Sequence, residues 1–77
     1  MNQAIQRGVY RHTKTGKMYE VVGTALHTET EELLVVYRPL YETGYELFAR
    51  PVKMFLETVD IGGEMLPRFE KIDKSSV

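Results

Sequence analysis

The stretch Glu32-Leu33-Leu34-Val35-Val36-Tyr37-Arg38-Pro39 decides the fold. An unbroken apolar run with adjacent β-branched valines is the pattern of a strand buried on both faces. A helix over 31–40 is the competing reading, because paired glutamates at a start suit the positive end of a helix dipole. Against it, Val35 and Val36 lose side-chain freedom in a helix, and Pro39 would stop it after little more than two turns. The run is read as a strand.

The same vocabulary extends in both directions. On the N-terminal side, Gly8 to His12 reads as a strand, Thr13-Lys14-Thr15-Gly16 as a turn, and Met18 to Leu26 as a second strand with a bend or bulge at Gly23. The polar run His27 to Glu31 is a connection. On the C-terminal side, Tyr41-Glu42-Thr43-Gly44 turns the chain into Tyr45 to Arg50, where residues alternate with period two. Pro51 suits the first position of a short helical turn over 51–55. Val52, Phe55, Leu56 and Val59 would permit a longer helix, but Thr58 to Ile61 followed by Gly62-Gly63 reads better as a strand entering a hairpin. Met65, Leu66 and Phe69 then pair back to cover an open edge, and Pro67 marks an edge position.

These elements predict a mostly β fold, a small SH3-like barrel of five to six short antiparallel strands with one short helical turn. The 77 residues form a single domain, with 1–6 and 71–77 expected to be flexible. A chain of this length buries only about 60% of its unfolded surface, and closing the sheet removes the unpaired edges it has little material to cover.

Composition narrows the function classes. There is no cysteine, and serine occurs only at Ser75 and Ser76, so the usual nucleophiles are missing from the structured part. Neither a glycine-rich dinucleotide fingerprint nor a phosphate loop is present. Structural zinc is not expected without thiolates, and no cofactor is expected. No apolar stretch reaches the length of a membrane span, and the first residues lack a signal-peptide core, so a soluble, cytoplasmic protein with no membrane partner is expected.

The net charge of −1 hides an uneven distribution. Residues 1–19 hold Arg7, Arg11, Lys14 and Lys17 without an acid, whereas 20–48 hold six glutamates against Arg38. A nucleic-acid patch on the first hairpin is one reading; mutual cancellation of the two fields is the other, and is preferred because phosphate binding needs several cations acting together.

Polar and aromatic residues recur at the ends of the strands. His27 and Glu29 point the same way if that stretch is extended, and with His12 they would make a metal set or an acid–base pair. The competing role is imidazole capping of backbone groups in the 27–31 loop. The rings of Tyr10, Tyr19, Tyr37, Tyr41, Tyr45 and Phe48 are either the core of a small barrel or, beside Arg11 or Arg50, a stacking platform.

The order and spacing of these motifs resemble a bacterial family known as domain-of-unknown-function family 1653. The resemblance covers about residues 6–70. It rests on Gly8, Tyr10, Arg11, His12, Lys14, Gly16 and Tyr19, then Ala25, His27, Glu29 and Thr30, then Leu34-Val35-Val36-Tyr37-Arg38, then Arg50, Pro51, Met54 and Phe55. Thr15 is an extra residue in the first turn, Thr13 stands where an aromatic is common, and Phe48 stands where the family usually has tryptophan. The resemblance implies an SH3-like β barrel and attaches no activity.

The function expected is a non-enzymatic binding module. Its ligand-binding rim is assigned to Tyr10, Arg11, His12, His27, Glu29, Tyr37 and Arg50, receiving a polar small molecule, a peptide or a nucleic acid. The alternatives are a small enzyme using His/Glu acid–base chemistry and a purely structural role.

Overall fold

The Leu33–Tyr37 run is a strand, and it sits inside a five-stranded antiparallel sheet. In the computed structural model, which describes residues 5–72, the strands are β1 (Gly8–His12), β2 (Met18–Leu26), β3 (Leu33–Pro39), β4 (Phe48–Pro51), β5 (Thr58–Ile61), β6 (Glu64–Pro67) and β7 (Phe69–Lys71). A single helical turn, α1 (Val52–Phe55), follows β4 with Pro51 as its N-cap residue. The expected flexible segments at 1–4 and 73–77 lie outside the described residues. Of the remainder of those segments, Lys71 pairs with Tyr10, and the Ile72 N–H donates to the Val9 carbonyl at 2.8 Å.

The sheet runs β4-β3-β2-β1-β7, and β5 and β6 form a separate two-stranded hairpin. The fold is therefore mostly β with one short helical turn, as the sequence indicates, but in seven strands rather than five or six. Its ladder is open: β4 and β7 remain edges. Side chains span the gap that hydrogen bonds leave. The Arg50 guanidinium of β4 lies over the Phe69 ring of β7, 5.6 Å from its centroid, and Tyr37 meets the same ring at 5.6 Å.

Alternation places Tyr10 of β1, Tyr19 and Val21 of β2, Val35 and Tyr37 of β3 and Phe69 of β7 in one core, capped by Val52 and Phe55 from α1. Val35, Val21, Phe55 and Tyr37 are 0–3% exposed and form its centre. β3 is not buried on both faces. Val35, Tyr37 and Pro39 point inward, Val36 is half-buried and Arg38 is exposed.

Two local devices shape the sheet. The β2–β3 register slips between Val21 and Gly23, the bulge expected at that glycine, and it bends β2 over the core. The β5–β6 turn is made by Gly62 and Gly63, both at positive φ, with the Gly63 N–H donating to the Asp60 carboxylate at 2.9 Å. The strand expected from Tyr45 begins only at Phe48. Continuing the β3–β4 register would set Glu46 opposite Pro39, which has no N–H to give.

Candidate functional site

β1 and β4 each send alternate residues to the concave side of the sheet. From β1 these are Tyr10 and His12; from β4 they are Phe48 and Arg50. His12 is paired with Phe69 across β1 and β7, and Phe48 with Tyr37 across β3 and β4. Phe69 is the meeting point. It stacks on Phe55 at 4.2 Å between centroids and 3° between planes, meets the His12 imidazole edge to face at 5.0 Å, and lies beneath the Arg50 guanidinium. The Arg50 Nε–H donates to the Tyr37 hydroxyl at 3.2 Å. His12, Tyr37 and Arg50, three of the residues singled out by the sequence, are thus brought to one rim by a phenylalanine.

The electrostatics of this rim are unbalanced. Arg11, Arg38 and Arg68 each pair with a glutamate, at 2.7, 3.4 and 2.9 Å. Arg50 is half-buried and has no carboxylate partner among the described residues. His12 responds to that field. Desolvation first, then the charges of Arg50, Arg68 and Lys14, hold its imidazole below the ordinary histidine range. Its Nδ1 accepts from the Thr15 N–H at 3.3 Å, so the neutral ring carries its proton on Nε2. The Nε of Arg68 is buried without a hydrogen-bond partner among the described residues.

Beside the rim runs an open groove of about 440 Å³, lined by Tyr37, Tyr45, Leu47, Phe48, Ala49 and Arg50. Tyr45 and Leu47 are 75% and 46% exposed, so the groove offers apolar and aromatic surface with a cation at one end. Sequence reasoning missed Leu47 and Phe69 as rim elements. The signal for Phe69 was its place after Pro67, which assigned it to an edge strand but not to a partner.

The other residues assigned to the rim lie elsewhere. Tyr10 and Tyr37 are both core residues, but only Tyr37 lines the groove; Tyr10 packs edge to face on Phe55 and donates its hydroxyl proton to the Gln6 carbonyl at 2.8 Å. Arg11 faces outward and pairs with Glu70, its cross-strand neighbour. His27 and Glu29 follow the far end of β2, a nine-residue strand whose start adjoins the His12 turn. That is roughly 30 Å of extended chain. His12 therefore lies at one end of β2 and His27 and Glu29 at the other. Among the described residues, no group of three or more histidine, aspartate or glutamate side chains is placed to hold a metal ion.

His27 has a local task, and His12 performs it too. The His27 Nδ1 accepts from the Glu29 and Thr30 N–H groups at 3.2 and 3.3 Å, its carbonyl accepts from Glu31 N–H, and its N–H donates to Glu32 O. At His12 the carbonyl accepts from Gly16 N–H and the N–H donates to Lys17 O. Thr15 and Thr30 each accept from the N–H two residues on. The sequences His12-Thr13-Lys14-Thr15-Gly16 and His27-Thr28-Glu29-Thr30-Glu31 are one turn used twice, each with positive φ at its fifth residue. A search for internal repeats at the hexapeptide scale would have exposed this pairing.

Comparison with known proteins supplies the relatives. The family model described as protein of unknown function (DUF1653) matches residues 8–71, and the chain belongs to that family. A crystal structure of a DUF1653 protein from Bordetella bronchiseptica is 38% identical, covers 95% of this chain and 94% of its own, and superposes with a TM-score of 0.83. No curated protein matches the chain.

Proposed function

We propose that this DUF1653 member is a non-enzymatic binding module whose ligand lies along β4, with a negatively charged group on Arg50. The observation that carries the reading is Arg50 itself: a half-buried guanidinium, unpaired with any carboxylate among the described residues, at the end of an apolar groove. A group taken partly out of water without a counter-charge is costly to the fold, and a ligand anion offsets that cost with a two-pronged hydrogen bond. Tyr45, Leu47 and Phe48 supply surface for the apolar part of the ligand.

A small molecule or short peptide fits better than a nucleic acid. Of the early cations, Arg11 is paired with Glu70 and Lys17 lies over the Tyr41 ring at 4.6 Å, so they form no continuous stripe. Acid–base catalysis by His27 and Glu29 is disfavoured by the use of the His27 Nδ1 on two backbone amides. A bacterial cytoplasm is the setting we assign, on the absence of cysteine and the relative from Bordetella bronchiseptica.

The test is a two-dimensional NMR titration with small carboxylates, phosphates and acid-bearing peptides. Amide shifts clustered at Tyr37, Ala49 and Arg50, and lost in folded Arg50→Gln, are expected. Absence of any ligand that perturbs these residues overturns the reading.

A further inference from the structure

The rim around Phe69 holds a surplus of hydrogen-bond donors that find no acceptor among the described residues. Arg50 spends its Nε on Tyr37, which leaves both terminal nitrogens. The Tyr37 hydroxyl accepts that bond, and its own proton goes to no acceptor among the described residues. His12 uses Nδ1 on the Thr15 N–H and so carries its proton on Nε2. These groups come from β1, β3 and β4 and meet around the Phe69 ring. Lys14 and Arg68 add positive charge nearby. A planar carboxylate satisfies a single fork; donors converging from three strands suit a group with three equivalent oxygens and more than one negative charge.

We infer that His12, Tyr37 and Arg50 form a seat for a phosphate-type oxyanion, the charged end of a phosphate monoester, and that its binding takes up a proton at His12. The inference rests on β4 being a ligand site and adds the chemical class of that ligand. The Arg50 fork takes two oxygens, Tyr37 and the His12 Nε2–H share the third, and the ester substituent runs along the groove toward Phe48 and Tyr45. The proton uptake follows from the surroundings of the imidazole. Every charged group that acts on it is a cation: Lys14 from its own turn, Arg50 from β4, and Arg68 from the β6–β7 connection. Arg68 shares its charge with Glu57, and the Arg11–Glu70 pair sits on the outer face. An arriving anion reverses the balance and favours the imidazolium. Each unit by which it raises the ring's pKa makes the complex about tenfold tighter once the ring is protonated.

The experiment follows His12 and backbone amides by NMR at constant ionic strength, with inorganic phosphate, sulfate or acetate as the probe. Sulfate does not titrate between pH 5 and 8, so its pH dependence reports the protein alone. The expected result is phosphate binding at least several-fold tighter than acetate, with sulfate tightening as pH falls from 7.5 to 5.5. His12→Gln should weaken sulfate binding and abolish that pH slope, and Arg50→Gln, checked as folded by its amide spectrum, should lose binding. Acetate binding as tightly as phosphate, or an unchanged slope in His12→Gln, overturns the inference while leaving β4 a ligand site. Silence of the β4 amides toward all three probes, together with failure of the wider ligand titration, overturns both.

Discussion

His27 and His12 show how one residue type can look alike in sequence and differ in consequence. Each caps its own turn through Nδ1, but only His12 also lies against Phe69 and a field of cations. His27→Ala should therefore cost about 1 kcal/mol through the lost backbone bonds, while Glu29→Ala should fall within about 0.5 kcal/mol of neutral. Glu31 holds the positive φ of +63° that Gly16 holds in the sister turn. A left-handed non-glycine residue costs about 1–2 kcal/mol, more than glycine's added chain entropy, so Glu31→Gly should stabilise by about 0.5 kcal/mol. Urea denaturation of these variants checks all three values. His12 carries a pH signature instead. Its folded pKa lies below the unfolded value of 6.5, so the unfolded chain takes the proton first. Its contribution is intact above pH 6.5 and is lost as pH falls through that value toward the folded one. Stability measured against pH should fall less in this window for His12→Gln than for the parent chain. An identical pH profile for the two proteins would show that the imidazole titrates alike in both states.

At the scale of elements, the β1–β2–β3 core and the β5–β6 hairpin differ in how firmly they are held. β2 and β3 are paired along nearly their full length and carry Val21, Val35 and Tyr37. β5 and β6 pair only with each other, and none of their residues is fully buried. Native-state hydrogen exchange should find the β5–β6 amides opening at much lower free energy than those of β2 and β3. Equal protection in both would contradict the separation. Much of this layout was legible in the sequence. The β-branched run at Val35-Val36, the proline before α1 and the Gly62-Gly63 turn each act through local backbone chemistry, which a sequence displays directly. The start of β4 and the open ladder were not legible, because both depend on partners brought from a distance. Pro39 denies Glu46 a ladder partner, and Arg50 and Phe69 bridge two edges that are 19 residues apart in the chain. The rim was half legible for the same reason. His12, Tyr37 and Arg50 stood out by type, whereas His27 and Glu29 were grouped with them on strand periodicity that the turn does not follow.

For the whole molecule, the core is an aromatic stack with little in reserve. Tyr37 and Phe55 anchor it, 3% and 2% exposed, and Phe55 lies face to face on Phe69. A domain of this size is stable by roughly 4–11 kcal/mol, and truncating a buried aromatic costs about 3–5 kcal/mol. Phe55→Ala should accordingly lose a large share of the domain's stability, seen as a marked fall in the urea midpoint and in melting temperature. Arg50 occupies the opposite position. It touches the same stack and spans the two sheet edges, yet its charge is uncompensated in the midst of other cations. A residue kept for binding stabilises the fold little, whereas a strap between edges stabilises it strongly. The decisive measurement is the urea unfolding free energy of Arg50→Gln. A loss of no more than about 1 kcal/mol is expected, the scale of one hydrogen bond and one partly exposed cation–π contact. A loss of about 3–5 kcal/mol, equal to that of a core aromatic, would make Arg50 a structural strap and contradict its assignment as the ligand anchor.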